Sequence, residues 1–342
     1  MKAWILKKVC NLLDEEFPLE LVDLSIDKPK PNEILLKVSC CGVCHTELDE
    51  IEGRTPPSRF PMILGHQVVG HVYQKGSNVA RFQIGARVGI AWIFSACGQC
   101  EFCVHGMENL CPSFQGTGRD ANGGYAEYMI VDEKFAYSIP EIFSDVEAAP
   151  LLCAGAIGYR SLRLAQLQNG QILGLSGFGA SNHLVLKMTR HLLPETKILV
   201  FARNKHEQAF ATSLGASWAG DITDVSPYKL NAMIDTTPVW KNIVESMTHL
   251  KPGGRLVINA IRKESDDKNA FATLTYQDHL WMEREIKSVA NISRKDVDEF
   301  LQLAARIPIK PEIEVYPFEK ANQALNDLKR KHVTGAKVLV MQ

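Results

Sequence analysis

The stretch LGLSGFGASNHLVL, residues 173–186, joins a short apolar run to an amphipathic one through a glycine-containing turn. Gly177 and Gly179 allow the backbone to approach a phosphate closely, and the charge of a phosphate is favourable at the N-terminus of a helix. The third glycine of the GxGxxG pattern is absent, and Asn182 occupies its place. The stretch therefore indicates either a nucleotide-binding turn or an ordinary tight turn between a strand and a helix.

Around this turn, apolar strand-like runs alternate with helical stretches. The runs cover residues 172–176, 198–201, 232–235, 255–258 and 286–289. This alternation predicts a parallel sheet with crossover helices and raises the odds that the glycine turn binds a nucleotide.

The two ends of the chain have a different pattern. Short apolar runs at residues 34–38, 68–72 and 125–131 are separated by Gly, Pro and Asn turns, which is typical of an irregular β domain. After residue 294, an amphipathic stretch at 297–306 leads to a strand-like run at 312–316, a helix near 320–331 and a strand at 336–341. We expect this tail to rejoin the first domain.

Length and composition narrow the function classes. A chain of 342 residues is expected to hold two domains, and 46% apolar with 23% charged residues is ordinary for a globular protein. The formal net charge of −1 disfavours binding to nucleic acid or acidic membranes. No apolar run approaches the roughly 20 residues of a membrane-spanning helix, so we expect a soluble, cytoplasmic protein made without an export signal.

Nine cysteines are present, and four of them fall within CGQCEFCVHGMENLC, residues 97–111. The thiols of Cys97, Cys100, Cys103 and Cys111 are spaced to surround one tetrahedral zinc ion and to leave no coordination position open, which predicts a structural site. Free thiols in a loop and an iron–sulfur cluster are the alternatives.

A second group of candidate ligands is dispersed along the chain. Cys44 lies in CGVCHTEL, His66 in LGHQVVG and Cys153 in APLLCAG. Two thiolates and one imidazole can bind zinc and leave its fourth position free for chemistry. Taken one by one, these residues are equally consistent with inert buried packing.

These motifs, together with GGYAEY and GFGASNH, resemble in order and spacing the zinc-dependent, medium-chain alcohol dehydrogenases, particularly the branch related to cinnamyl alcohol dehydrogenases. The similarity runs over nearly the whole chain. It implies an α/β protein with a GroES-like irregular β catalytic domain, residues 1–151 and 291–342, and a Rossmann domain with a doubly wound parallel sheet, residues 152–290.

The resemblance also assigns roles to individual positions. It implies two zinc ions per chain, with Cys44, His66 and Cys153 as ligands of the catalytic ion and the four clustered thiols as ligands of the structural one. By the resemblance, Thr46 supplies the hydroxyl that contacts the substrate oxygen, and Glu47 is the acid that orients the zinc-bound histidine. Without the resemblance, Glu47 is interpreted as a solvent-exposed charged residue in a loop. The cofactor-binding positions are His45, Gly177, Phe178, Gly179, Ala180, Ser181, Ala202, Arg203 and Lys205.

Four positions depart from the family pattern. Gln67 stands where relatives carry a glutamate that can approach the zinc, and Asp49 stands where a histidine often ends the proton relay, so a proton path to water or to Asp49 is our hypothesis. Asn182 replaces the third glycine. Ala202 replaces the acid that binds the adenosine ribose of NAD, which favours NADP, with Arg203 or Lys205 pairing its 2′-phosphate, over NAD.

The expected reaction is reversible hydride transfer between a primary alcohol or aldehyde and NAD(P). Trp92 matches a substrate-pocket residue, whereas Ile51 and Thr55 appear in place of two further tryptophans, so a larger pocket for medium-chain or aromatic substrates is expected. A polyol dehydrogenase and a non-catalytic zinc-ribbon redox sensor are the alternatives. The resemblance implies a homodimer or homotetramer, and Cys10, Cys40 and Cys41 are expected to serve packing.

Overall fold

A computed structural model of the chain describes residues 1–307, 309–330 and 336–341. The chain divides into two compact units, Met1–Ala156 with Ile292–Gln342, and Ile157–Asn291. Residue 331, the last of the helix predicted at 320–331, lies outside the described residues.

The first part of the chain is mostly β-structure. Its strands are β1 (Lys2–Leu6), β2 (Leu19–Asp23), β3 (Glu33–Val43), β4 (Met62–Ile63), β5 (Val68–Lys75), β6 (Arg87–Ile90), β7 (Ile93–Ser95), β8 (Gln115–Gly116), β9 (Tyr128–Asp132) and β10 (Ala136–Ser138). Its helices are α1 (His45–Ile51), α2 (Glu101–Val104) and α3 (Asp145–Pro150), and α3 is followed by a π-helical turn at Leu151–Gly155. The irregular β domain predicted here is confirmed.

The middle of the chain alternates strands with helices, as predicted. The elements are α4 (Ala156–Ala165), β11 (Ile172–Ser176), α5 (Asn182–Leu192), β12 (Lys197–Phe201), α6 (Lys205–Ser213), β13 (Trp218–Gly220), β14 (Leu230–Asp235), α7 (Lys241–His249), β15 (Leu250–Ile258) and β16 (Glu285–Ser288). The short strand β13 was not predicted. Its three residues, WAG, are too few for a periodic pattern to be recognised.

The tail consists of α8 (Arg294–Arg306), β17 (Ile313–Pro317), α9 (Ala321–Arg330) and β18 (Ala336–Val340). Strand β18 pairs with β17 in parallel and with β3 in antiparallel orientation. Because β3 also pairs with β5 and β9, the tail completes the main sheet of the first unit. The prediction that it rejoins this part of the chain is confirmed.

Helix α8 shows why the tail folds locally as it does. Ser293 caps it by accepting from the backbone N–H of Asp296, and the carboxylate of Asp296 accepts in return from the backbone of Ser293 at 2.9 Å. This reciprocal arrangement satisfies backbone donors that a helix start leaves unpaired. The apolar side chains of Val297 and Phe300 share one face, and both are fully buried.

The sheet of the second unit is parallel throughout and has the order β13-β12-β11-β14-β15-β16. In order along the chain this is 3-2-1-4-5-6, the doubly wound arrangement in which ligands bind where the strand order reverses, at the carboxyl ends of the strands. The reversal lies between β11 and β14. The glycine turn follows β11 directly, so it occupies this position.

Buried apolar side chains hold this sheet and its helices together. Those of one cluster come from β12, β14, β15, α7 and the segments between them: Leu199, Phe201, Ile222, Leu230, Met233, Ile243, Met247, Leu250 and Leu256. No helix within the described part of the chain has both the length and the apolarity that crossing a membrane requires.

Gly65, directly before the candidate ligand His66, is a position where a side chain is poorly tolerated. Its φ is +96°, and a Cβ atom there would collide with the ring of Tyr125 and lie 2.8 Å from Sγ of Cys41. Gly85 provides a matched control, because its φ is +85° but a Cβ atom there would have no heavy atom of the described residues within 4 Å beyond its chain neighbours.

We expect Gly65→Ala to lower the free energy of unfolding by about 3 kcal/mol, since it adds overpacking to the cost of a positive φ. For Gly85→Ala only the conformational cost, about 1 kcal/mol, is expected. Denaturant unfolding of the two variants, followed by tryptophan fluorescence, measures the difference. Equal losses of stability would contradict the crowding seen around Gly65.

Candidate functional site

Cys44 is positioned by the start of helix α1. Its Sγ accepts a hydrogen bond from the backbone N–H of Thr46 at 3.4 Å, and its own backbone N–H donates to Oε2 of Glu47 at 2.8 Å. A cysteine thus takes the place that serine or threonine has in an ordinary capping box. The helix start therefore fixes both the sulfur and the carboxylate of Glu47.

His66 and Cys153 reach the same point from two other segments. His66 lies between β4 and β5, and Cys153 lies in the π-helical turn after α3. Nε2 of His66 is 3.7 Å from Sγ of Cys44 and 3.3 Å from Sγ of Cys153. All three ligand atoms lie within 4.8 Å of one another. Tetrahedral zinc, with Zn–S bonds of about 2.3 Å and Zn–N bonds of about 2.0 Å, places its ligand atoms about 3.5 to 3.8 Å apart, so these donors fit a zinc ion.

The other ring nitrogen of His66 faces a carboxylate. Nδ1 lies 2.6 Å from Oε1 of Glu47, and both side chains are completely buried, although the N–H is not well aligned for a hydrogen bond. Burial lowers the pKa of His66, but the negative charge of Glu47 and the neighbouring Cys44 outweigh it, so the pKa is raised well above its usual value. This pairing orients the ring with Nε2 toward the two sulfurs.

The surroundings of Cys44 disfavour the thiolate form of its side chain. The hydrogen bond with Cys153 and burial both raise the pKa of Cys44 well above its usual value. A cation between the sulfurs has the opposite effect, because it stabilises the thiolate form.

The four clustered thiols also converge on one point. Their sulfurs lie within 4.8 Å of one another, and those of Cys97 and Cys103 are 3.9 Å apart. Backbone N–H groups donate to the sulfurs: Cys100 donates to Cys97, while Cys97 and Ser113 donate to Cys111, each at 3.4 Å. Hydrogen bonds from the backbone of Gln99 and Cys100 lower the pKa of Cys97 to about 6. This donor set fits a tetrahedral ion whose coordination positions are all filled by protein.

The remaining predicted residues of this region lie on or near α1. Thr46 is half-buried in its first turn, and His45 is exposed. Oδ1 of Asp49 is 2.5 Å from Nε of Arg54, so this carboxylate is an ion-pair partner. Gln67, beside His66, is buried and packs its side chain against Gly42.

The three predicted pocket residues have different surroundings. The ring of Trp92 packs edge-on against the His66 ring, with centroids 5.2 Å apart at 89°. Ile51 is fully buried at the end of α1. Thr55 has a buried hydroxyl oxygen that has no hydrogen-bond partner among the described residues. Trp92 is therefore the predicted pocket residue for which a contact with the candidate ligand His66 is observed.

Glu50 is a residue near the site that was not predicted from the sequence. It is fully buried, and neither carboxylate oxygen has a hydrogen-bond partner within the described part of the chain. Burial and the nearby carboxylate of Glu47 raise its pKa well above the usual value. The spacing of three residues from Glu47 on one helix is a signal that places the two acids on the same face.

The glycine turn of the second unit has one constrained side and one open side. Gly177 has a φ of +74°, and a Cβ atom there would lie 2.9 Å from Oγ1 of Thr236. In the described part of the chain, a Cβ atom on Gly179 would meet no heavy atom within 4 Å apart from its chain neighbours. Phe178 between them is buried against the ring of Phe210, whereas Ala180 is exposed and Ser181 is half-buried. The turn thus leaves room for an anion to approach the backbone at Gly179.

At the end of β12, the predicted ribose-binding position is uncharged. Ala202 is buried, and its carbonyl accepts from Nε2 of Gln208 at 2.8 Å. Oε1 of the same Gln208 accepts from Nζ of Lys205 at 3.0 Å. Arg203 is exposed. Position 202 carries no acid, and Arg203 and Lys205 supply two cations close to it in the sequence. This combination fits a cofactor that carries an additional phosphate.

Comparison with known proteins extends over the whole chain. Residues 30–141 match the model of the alcohol dehydrogenase GroES-like domain, and residues 198–340 match that of the zinc-binding dehydrogenases. A probable alcohol dehydrogenase of Mycobacterium tuberculosis is 40% identical over 346 aligned residues, which cover 100% of this chain and 97% of the relative. The chain belongs to the zinc-dependent, medium-chain alcohol dehydrogenase family. This confirms the predicted family and the prediction that the protein is an enzyme, an alcohol dehydrogenase.

Solved structures confirm the fold of this alcohol dehydrogenase. A cinnamyl alcohol dehydrogenase of Sorghum bicolor superimposes with a TM-score of 0.82 at 24% identity, covering 99% of this chain and 97% of the other. A Helicobacter pylori enzyme described as CAD, in complex with NADP(H), gives a TM-score of 0.85 at 23% identity with the same coverage. The predicted combination of a GroES-like domain and a Rossmann sheet is confirmed.

The four-thiol site yields a direct test. We expect Cys111→Ser to lose about one zinc ion per chain and about 4 kcal/mol or more of stability, because closed metal sites replace a local apolar core. Cys10→Ser, which alters a cysteine of neither ligand group, is the control and is expected to keep its zinc. Metal analysis and thermal unfolding measure both. Unchanged zinc content and stability in Cys111→Ser would refute a metal at this cluster.

Proposed function

We propose that this alcohol dehydrogenase catalyses reversible hydride transfer between a primary alcohol or aldehyde and NADP. The observation that carries the proposal is the convergence of the side chains of Cys44, His66 and Cys153. Nε2 of His66 lies 3.7 Å from Sγ of Cys44 and 3.3 Å from Sγ of Cys153. Three protein ligands leave the fourth tetrahedral position of a zinc ion available to an oxygen.

The proposed catalytic work of the chain is divided among residues of α1 and its neighbours. When bound, zinc supplies Lewis acidity toward the alcohol oxygen, and the nicotinamide accepts or supplies the hydride. Glu47 holds the His66 ring in orientation through Nδ1. Thr46, two residues after Cys44, takes the proton of the substrate hydroxyl on its Oγ1 and passes its own proton onward.

The route of that proton beyond Thr46 is part of the proposal. Oδ1 of Asp49 faces the guanidinium of Arg54 and lies 2.5 Å from its Nε. Because this oxygen is already engaged in an ion pair, we propose water as the final acceptor of the proton and Asp49 as the residue that holds Arg54.

We further propose residues 1–151 and 291–342 as the catalytic domain and 152–290 as the cofactor domain. A homodimer or homotetramer is proposed on the family resemblance. A cytoplasmic location is supported by nine cysteines that form no disulfide.

For the substrate, we propose medium-chain or aromatic primary alcohols. Trp92 supplies one aromatic wall next to His66, while Ile51 and Thr55 offer less bulk than the tryptophans of family members that take small alcohols. A panel of alcohols in which ethanol or a sugar alcohol is used best would overturn this choice, and the latter result would favour a polyol dehydrogenase.

Substitution of Thr46 tests the proton transfer. We expect Thr46→Val to lower kcat by about 100-fold or more with unchanged zinc content, because the side chain keeps its shape but loses its hydroxyl. Thr46→Ser restores a hydroxyl and is expected to retain most of the activity. Steady-state alcohol oxidation with metal analysis provides both measurements. A Thr46→Val enzyme as active as the unsubstituted protein would rule out this role.

The choice of NADP over NAD is proposed from the end of β12. Ala202 supplies no negative charge to repel a 2′-phosphate, and Arg203 and Lys205 supply two cations nearby. The Helicobacter pylori structure with NADP(H) shows that its similar fold accommodates this cofactor.

We expect kcat/KM to be higher with NADP than with NAD, and Ala202→Asp to reverse this order by reducing the NADP value about 100-fold through charge repulsion. Arg203→Ala is expected to reduce it about tenfold. Lys287→Ala removes an exposed cation at the opposite edge of the sheet, on β16, and serves as the control. A strong preference of the unsubstituted enzyme for NAD would disprove the assignment.

A further inference from the structure

Asn182 occupies the place of the third glycine and is the first residue of α5, yet its side chain is fully buried. Its amide nitrogen Nδ2 lies within hydrogen-bond distance of four oxygens on two stretches of the chain. These are the carbonyls of Ser176 at 3.1 Å, Gly177 at 2.8 Å and Ile234 at 3.4 Å, and Oγ1 of Thr236 at 3.3 Å.

The four oxygens lie at the carboxyl ends of the two strands between which the strand order reverses, or directly after them. Ser176 is the last residue of β11, and Ile234 is the last but one of β14. The amide has two hydrogens, so they are shared among the four acceptors, with the shortest contact to the carbonyl of Gly177. One side chain thereby links the glycine turn to the carboxyl ends of both strands.

Thr236 completes the link from the other side. Its backbone N–H and its hydroxyl both donate to the carbonyl of Ser176, at 3.0 and 3.1 Å. Since the hydroxyl hydrogen is used there, a lone pair of Oγ1 is available to accept from Asn182. Thr236 also closes the space beside Gly177, where a Cβ atom would lie 2.9 Å from Oγ1. The turn is consequently held along its inner side by contacts that a glycine at position 182 does not make.

The outer side of the turn is open at Gly179, where an added Cβ would meet no heavy atom of the described residues within 4 Å beyond its chain neighbours. A turn that is held from within and open outward at Gly179 allows an anion to approach its backbone without having to be ordered first. Ordering a flexible segment on binding reduces affinity, so a turn that is already held binds more tightly.

We propose that Asn182 is a positioning residue that holds the glycine turn in its phosphate-binding conformation before the cofactor arrives. The inference rests on the proposed NADP-dependent function. It differs from the ordinary role of a third glycine, which allows close packing of helix against strand. In this chain a buried amide takes over by fixing the turn directly.

The test compares Asn182→Ala with Asn231→Ala in the full-length, zinc-loaded protein. Asn231 is a matched control because its side chain accepts from the backbone N–H of Ile172 at 3.0 Å, at the amino ends of the same two strands. We expect Asn182→Ala to raise the Kd for NADPH about tenfold, as the loss of one well-placed hydrogen-bonding group does, and Asn231→Ala to leave it unchanged. NADPH fluorescence titration measures the Kd.

Two further readouts separate positioning from a general loss of stability. Hydrogen exchange without cofactor is expected to be faster at residues 177–179 in Asn182→Ala but not in Asn231→Ala. In steady-state kinetics, KM for NADP is expected to rise while kcat changes little. Should Asn182→Ala fail to fold, Thr236→Val, which removes one acceptor of the amide, is expected to raise the Kd about threefold.

Unchanged NADPH binding in the folded Asn182→Ala variant, or an equal change in both alanine variants, would overturn the inference. In the absence of a folded Asn182→Ala protein, an unchanged Kd in Thr236→Val would do the same. Failure of the unsubstituted protein to bind NADPH would instead reject the proposed cofactor. The two failures are therefore distinguishable by the behaviour of the unsubstituted enzyme.

Discussion

The buried contact between Glu47 and His66 is the constraint on which the candidate active site depends. It lies at 2.6 Å and joins the first turn of α1 to the segment between β4 and β5. Because Glu47 also accepts from the backbone of Cys44, one carboxylate positions two of the three candidate ligands. Removal of this carboxylate leaves a buried imidazole without its charged partner and the backbone N–H of Cys44 without its acceptor, so the ligand geometry and the local fold depend on the same group.

The two units position their candidate functional groups through different kinds of contact. In the first unit, the carboxylate of Glu47 joins side chains from distant segments through its contacts with His66 and Cys44. In the second unit, neutral amides do this work: Asn182 holds the glycine turn, and Gln208 joins the carbonyl of Ala202 to Lys205. Neutral donors suit a site for a polyanion, because they stabilise the backbone without adding negative charge.

The alternating strands and helices and the four-thiol group could be predicted from the sequence because their signals are local, whereas the dispersed group of Cys44, His66 and Cys153 was assigned only through the family resemblance. Four thiols within residues 97–111, and apolar runs that alternate with helical stretches, are visible in short windows. Glu50 escaped notice because nothing in its neighbourhood of sequence indicates burial. The roles of Asn182 and Gln208 escaped for a similar reason, since an amide side chain acquires its meaning from carbonyls that belong to other strands.

By itself, the sequence determined the chemical inventory of this dehydrogenase: seven candidate metal ligands in two groups, a glycine turn after the first strand of a parallel sheet, and no acid at position 202. Only the tertiary structure decided that Cys44, His66 and Cys153 meet, that Asp49 is paired with Arg54, and that Asn182 faces inward. The physical reason is that residue types and local periodicity are properties of neighbouring positions. Distances between side chains far apart in the chain are set by the packing of the whole fold.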